Sequence, residues 1–176
     1  VESKQRVVEN MAPVLTMLFT PLFALMLAGA AVVYAVTGLG GAFDRELLGV
    51  FDALMVVVLG LVLYGMSARD PSQLPGWMDR IQLVAVVSAL LLDLMVLGSM
   101  AARIGDLGFT PNRTAALGLN LVLLVNLTGT AWLTTRFLTG HSTFHRLERW
   151  QTAYLPVFPL WAATVVFILP PVFAFT

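Results

Sequence analysis

The chain has 176 residues, of which 59% are hydrophobic and only 11% are charged. A soluble domain has roughly a quarter of its residues charged, so this composition excludes an ordinary water-soluble protein and indicates that lipid surrounds much of the chain. The formal net charge is zero and cysteine is absent, which argues against nucleic-acid binding and excludes disulfides, thiolate metal sites and cysteine nucleophiles.

Apolar runs recur along the sequence, separated by short polar, glycine-rich or proline-rich connections. A helix needs about 20 apolar residues to cross the hydrocarbon core of a bilayer. We therefore predict an all-α integral membrane protein, a single domain over residues 1–176 that forms a bundle of five transmembrane helices. The predicted spans are residues 11–37, 47–66, 81–102, 112–135 and 152–173.

A carboxylate, Asp52, lies one to two turns inside the second predicted span and close to Arg45 in sequence. One interpretation is a side chain that faces the membrane surface or a water-filled dip. The other is a cation path, if Asp52 and Asp93 face one cavity. The sequence leaves both open.

The third and fourth spans each carry a polar residue near mid-bilayer, Asp93 and Asn126. An ionised carboxylate is costly at that depth, and no Lys or Arg lies at a matching level. Because the two spans are antiparallel neighbours, Asp93 and Asn126 reach similar depth, where a hydrogen bond can join them. The pair of Asp93 and Asn126 is either a proton or cation site in a transport path or a contact that fixes helix packing. Asn120 adds a further polar group, about a third of a turn away from Asn126.

The predicted turn between these two spans is residues 103–110, and it carries Arg103 and Asp106, with Arg113 just after it. They form either a contact for lipid phosphate or another anion, or a salt-bridged turn at headgroup level. Thr110 and Pro111 predict the N-cap and the first residue of the fourth helix, where a missing N–H is harmless.

The most polar stretch is the connection over residues 136–151. Phe144, Leu147 and Trp150 recur at every third position, which predicts a short helix lying in the membrane interface. Trp77, Trp150 and Tyr154 lie near predicted span ends, as is typical of an aromatic belt.

The same connection contains His141 and His145, with Glu148 three residues further on. On a helix these side chains share a face, as metal ligands do. The segment HSTFH has no glutamate between its histidines and is not a zinc-protease motif. Surface histidines are therefore the favoured interpretation, and no metal or other cofactor is predicted.

Basic residues are distributed unequally between the two predicted membrane surfaces, which by the positive-inside rule places the N-terminus in the cytoplasm. We therefore predict a multi-pass protein of a bacterial inner membrane. Seven basic residues lie on the N-terminal side and three on the other: Lys4, Arg6, Arg69, Arg80, Arg136, Arg146 and Arg149 against Arg45, Arg103 and Arg113.

Two segments resemble a known family: ARIGDLGFTPNR at residues 102–113 and YLPVFPLWAATVVFILPPVF at residues 154–173. Both are similar to the C-terminal membrane region of an uncharacterised bacterial multi-pass family, defined only as a domain of unknown function. Its pattern is an arginine at a helix end, here Arg103, followed by Gly–aromatic–Thr–Pro–x–Arg. The chain also begins with Val1 rather than Met. The resemblance implies a longer protein with further spans upstream, and it implies no catalytic residues.

These features predict a permease-like or channel-like membrane domain whose polar site is Asp93 with Asn126, Asp52 and Asn120. The alternative is a non-catalytic membrane subunit that packs in a larger complex. No enzyme is predicted, because no nucleophile–base pair is visible. The expected partners are membrane lipids and other membrane chains or an upstream part of the same chain. A transporter requires Asp93 to face a polar cavity, whereas a packing subunit requires it to be sealed.

Overall fold

The regular structure in this computed structural model, which describes residues 2–37, 45–69 and 72–173, is entirely helical. The all-α class is therefore confirmed. The long helices are α1 (Glu2–Thr37), α2 (Arg45–Ser67), α3 (Trp77–Leu107) and α4 (Pro111–Leu138). The shorter ones are α5 (Phe144–Tyr154), α6 (Val157–Phe167) and α7 (Leu169–Val172).

The central helix is α3, which packs against α1, α2 and α4. Its buried residues Ala85, Ala89, Leu92 and Val96 recur every three to four positions and so form one stripe along the helix. The small side chains of Ala85 and Ala89 allow a neighbouring helix to approach closely. The shared core takes residues from five helices, among them Leu27, Met55, Val86, Leu127 and Leu147.

The turn between α3 and α4 has the predicted N-cap of α4, whereas α3 continues to Leu107, beyond the predicted end of the third span at residue 102. α3 ends at Gly108, which has a φ of 75° and donates its N–H to the carbonyl of Ile104 at 2.9 Å. α4 begins with Thr110 as N-cap, whose Oγ1 accepts the backbone N–H of Arg113 at 3.4 Å, and with Pro111 as first helical residue. Local sequence signals therefore fix this helical hairpin.

Two helices are long and apolar enough to cross a membrane within the described part of the chain, α3 and α4. Shorter apolar stretches occur in α1 (Met17–Val33) and in α2 (Ala53–Ser67). Length and composition thus agree with the coarser prediction of a helical membrane protein, while the five-span arrangement stays a prediction.

The predicted fifth span, residues 152–173, is divided among the end of α5, α6 and α7. The first break falls at Leu155 and Pro156 and the second at Ile168, just before the Pro170–Pro171 pair, and proline removes a backbone donor from a helix. Leu155, Pro156 and Ile168 nevertheless keep right-handed helical dihedral angles. The segment is therefore helical, as predicted, but interrupted.

The short helix predicted within residues 136–151 is confirmed as α5, which extends to Tyr154. It buries Phe144, Leu147 and Gln151, and it packs on α4. The ring of Phe144 meets that of Phe137 near the end of α4, whereas Trp161 in α6 reaches Ala115 near its start. α5 and α6 therefore run antiparallel to α4 along most of its length.

Candidate functional site: two buried polar clusters

The side chains of Asp93, Asn120 and Asn126 are all completely buried. Nδ2 of Asn120 lies 3.8 Å from Sδ of Met100. This contact shows which residues of the antiparallel helices α3 and α4 lie at the same level. Counting from that contact places residue 93 level with residue 127. The expected match in depth between Asp93 and Asn126 therefore agrees with the helix register.

Asn126 is bonded to α5 rather than to Asp93. Its Nδ2 donates to Oε1 of Gln151 at 3.0 Å, and Nε2 of Gln151 donates back to Oδ1 of Asn126 at 3.4 Å. Nε2 of Gln151 also donates to Oγ1 of Thr130, whose hydroxyl donates to the carbonyl of Asn126 at 2.7 Å. The expected Asp93–Asn126 hydrogen bond is not formed, because α5 lies on α4 and the amide of Gln151 bonds with that of Asn126. We call Asn126, Thr130 and Gln151 the amide cluster.

Asn120 is not part of the amide cluster, since six residues of helix correspond to about 9 Å along α4. Its Nδ2 donates to the carbonyl of Ala116 at 3.1 Å, one turn back on the same helix. Its Oδ1 is buried and has no hydrogen-bond partner among the described residues. The side chain of Asp52 lies outside them. The predicted polar set therefore does not form one site in the described part of the bundle.

Arg113 closes the turn between α3 and α4. Its Nη1 donates to the carbonyls of Leu107 and Gly108, at 3.2 Å and 3.0 Å, and so satisfies the C-terminal end of α3. Arg103 is half-buried, and no ion pair with Asp106 occurs within the described ranges. The geometry thus gives Arg113 a structural role, and the proposed lipid or anion contact of both arginines stays a prediction.

The histidines lie on the surface. Nδ1 of His145 is 3.5 Å from Oε2 of Glu148, and both side chains are more than half exposed. Nδ1 of His141 is 3.1 Å from Oγ1 of Thr139. In the described residues, no group of three or more His, Cys, Asp and Glu side chains could hold a metal ion. The exposure of both histidine side chains agrees with the prediction of surface histidines.

A second polar cluster, which we did not predict, joins four helices at one end of the bundle. Arg69, just after α2, forms an ion pair with Asp79 in the first turn of α3. The guanidinium carbon of Arg69 lies 4.7 Å and 4.9 Å from the ring centroids of Phe137 and Phe144. Cation–π contact and ion pairing together hold a charge that is 11% exposed. We call Arg69, Asp79, Phe137 and Phe144 the arginine cluster.

Part of the arginine cluster could have been recognised from sequence. An acidic residue three positions after Gly76 is a helix-start signal, and Oδ2 of Asp79 indeed accepts the N–H of Gly76 at 2.6 Å. Nη2 of Arg69 donates to the carbonyls of Gln73 and Leu74, at 3.0 Å and 3.2 Å. These contacts hold the connection against α3. No local sequence pattern predicts them.

A cavity of about 470 Å³ adjoins the arginine cluster, between α1, α2, α3 and α5. Its polar lining consists of Thr20, Gln73, Arg69, Asp79 and Gln82, and Asp93 and Asn126 do not line it. Its rim is apolar and strongly exposed at three large side chains: Met17, Leu74 and Trp77.

Comparison with protein-family models, curated proteins and solved structures gives no match to this chain. The fold and its buried clusters define an all-helical protein with two helices of membrane-spanning length and composition within the described residues. The resemblance of residues 102–113 and 154–173 to an uncharacterised bacterial membrane family stays a prediction.

Proposed function

We propose that this chain is a non-catalytic membrane subunit, a helical domain that packs with other membrane helices. The supporting observation is the complete burial of Asp93 and Asn126, neither of which lines the cavity. A transport site needs a route by which water or substrate reaches the polar group, whereas a packing contact needs the group to be sealed. The competing function is a permease-like or channel-like domain, which the position of a carboxylate at the centre of α3 favours.

The proposed setting is a bacterial inner membrane, crossed five times with the N-terminus in the cytoplasm. In support of the membrane location alone, α1 presents large apolar side chains to its surroundings, including Leu18, Leu25, Val32 and Val36, each at least 62% exposed. Exposed apolar surface of this extent suits lipid or a neighbouring membrane helix. The proposed partners are membrane lipids and other membrane chains or an upstream part of the same chain.

We predict that Asp93→Asn leaves proton permeability unchanged. The substitution keeps the shape of the side chain and removes its ability to ionise. Proteoliposomes with wild-type protein or with Asp93→Asn should dissipate an imposed pH gradient no faster than protein-free liposomes, as followed by an internal pH-sensitive dye. Native electrophoresis of solubilised membranes should show the complex of this chain with other membrane chains either weakened by Asp93→Asn or the same as in the wild type. A wild-type proton flux that Asp93→Asn abolishes contradicts the proposal and supports the permease-like alternative.

A second prediction concerns membrane topology. Because the chain has no cysteine, an introduced cysteine is its only site for thiol labelling. Ser72 and Asp106 lie near opposite ends of α3, a helix of 31 residues that is about 46 Å long. In spheroplasts, a membrane-impermeant maleimide should label Asp106→Cys at once and Ser72→Cys only after permeabilisation. Labelling of both from the same side contradicts a spanning α3, and the reverse pattern contradicts a cytoplasmic N-terminus.

A further inference from the structure

Two hydrogen-bond donors of the cavity-lining residues have no partner among the residues described. They are the hydroxyl of Thr20, in a side chain that is 4% exposed, and Nε of Arg69. Buried donors are almost always satisfied by protein, by water or by a ligand. Because both residues line the cavity, a molecule seated there is the natural source of the missing acceptor.

Two neighbouring polar side chains, Asp79 and Gln82, already make hydrogen bonds within the protein. Asp79 accepts from Arg69 with one oxygen and from the N–H of Gly76 with the other, and Nε2 of Gln82 donates to the carbonyl of Val62 at 3.2 Å. The Nε–H of Arg69 can only donate and the hydroxyl of Thr20 can donate or accept, so a ligand that offers acceptor oxygens satisfies both groups. Phosphate oxygens suit a guanidinium especially well, because its N–H groups lie in a fixed plane.

Charge selects among phosphate compounds. Asp79 neutralises Arg69 formally, so the cavity favours a singly charged phosphodiester over a dianionic phosphate. The exposed rim of Met17, Leu74 and Trp77 supplies apolar surface beside the polar lining. An amphipathic ligand has this combination, and tryptophan is characteristic of the headgroup level of a membrane. A volume of about 470 Å³ falls in the usual range of small-molecule sites.

We propose that this cavity binds the phosphodiester headgroup of a membrane phospholipid. Thr20 Oγ1 and Arg69 Nε donate to the phosphate oxygens, while Met17, Leu74 and Trp77 contact the glycerol and the first acyl carbons. The stacking of Arg69 against Phe137 and Phe144 fixes the plane of the guanidinium before the lipid arrives. This inference rests on the membrane location given under the proposed function.

The test uses the full chain in a maltoside detergent, titrated with dihexanoyl-phosphatidylglycerol and followed by tryptophan fluorescence and thermal shift. Saturable binding is expected, and Thr20→Val should weaken it about tenfold, as the loss of one hydrogen bond to a charged acceptor implies. Because the Thr20 hydroxyl has no described protein partner, Thr20→Val should leave the lipid-free melting temperature unchanged. Arg69→Lys, which keeps the charge and lacks Nε–H, should also weaken binding.

The matched control is Thr135→Val, because Thr135 is exposed and its hydroxyl donates to Ala131 of its own helix at 2.7 Å. This variant should bind the lipid as the wild type does. Equal affinity of Thr20→Val and Thr135→Val overturns the proposal. Dihexanoylglycerol, which lacks the phosphate, should bind far more weakly, and equal binding reduces the site to an apolar groove. Inorganic phosphate that binds as tightly as the lipid identifies a free anion as the ligand and overturns the lipid assignment.

Alkaline carbonate extraction of membranes separates the two proposals. A chain that stays in the membrane pellet but binds no phospholipid overturns the headgroup site alone. A chain that carbonate releases from the membrane overturns the proposed membrane function, whatever the purified protein binds.

Discussion

Replacing Gly118 with alanine is expected to detach α6 from α4 and to lower the free energy of unfolding by about 3 kcal/mol. A Cβ at position 118 would overlap the six-membered ring of Trp161. Nε1 of that indole donates to the carbonyl of Ala115 at 3.2 Å, so the ring cannot move aside without losing its hydrogen bond. Overpacking and the lost hydrogen bond therefore act together.

The same form of contact recurs further along α4, at Gly129. Trp150 lies over Gly129 and donates to the carbonyl of Asn126 at 3.4 Å, and the hydroxyl of Tyr154 donates to the carbonyl of Val122 at 2.8 Å. Aromatic side chains with a polar end thus dock α5 and α6 onto the backbone of α4. This is why a single added methyl group at position 118 is expected to have a large effect.

The measurement is unfolding of the purified chain in detergent micelles, by heat or by added dodecyl sulfate, followed by tryptophan emission. Gly98→Ala is the matched control, because a Cβ there meets nothing within 4 Å and the position lies inside α3. In a helix interior, alanine is favoured over glycine by about 0.5–1 kcal/mol, so this variant should be as stable as the wild type or slightly more so. Equal stability of the two variants contradicts the docking of Trp161 at Gly118.

Local signals were sufficient for the helical hairpin of α3 and α4. Thr110 is the cap and Pro111 the first helical residue of α4, and each acts within a few residues of itself. The match in depth of Asp93 and Asn126 follows from antiparallel pairing alone. These features were predictable because they depend on sequence distance and helix rise, not on how a helix is turned about its axis.

Which neighbouring helix a buried side chain contacts depends on how its own helix is turned about its axis. That rotation was not predictable from the sequence. The apolar and polar residues of α4 are spread around the helix rather than divided between two faces, so its pattern does not reveal that Asn126 faces α5. Gln151 ends the polar stretch of residues 136–151, where we expected a helix at the interface rather than one packed on α4. Arg69 and Asp79 were likewise missed as a pair, because their contact depends on how residues 72–76 fold back.

Replacing Gln151 with leucine is expected to lower the free energy of unfolding by about 2 kcal/mol. The buried amide of Asn126 exchanges two hydrogen bonds with Gln151 and would lose both of them in an apolar site. Leucine is close to glutamine in size, so the loss is one of hydrogen bonding more than of packing. Thr152→Val is the neighbouring control, since that threonine is exposed and its hydroxyl donates to Glu148 of its own helix at 3.0 Å.

The double variant Asn126→Leu with Gln151→Leu distinguishes two costs. One is the loss of the Asn126–Gln151 hydrogen bonds, and the other is the burial of an amide without a partner. Removing both amides leaves no unsatisfied amide at the α4–α5 contact, so the double variant should recover most of the stability that Gln151→Leu loses. The coupling energy also reports on the surroundings, because interhelical hydrogen bonds within a bilayer measure about 0.6 kcal/mol on average and at most about 1.7 kcal/mol. A double variant whose loss equals the sum of the single losses contradicts the Asn126–Gln151 contact. Such a result would remove the evidence that α5 engages the Asn126 side chain, and the predicted contact between Asp93 and Asn126 in the transport hypothesis would again be open.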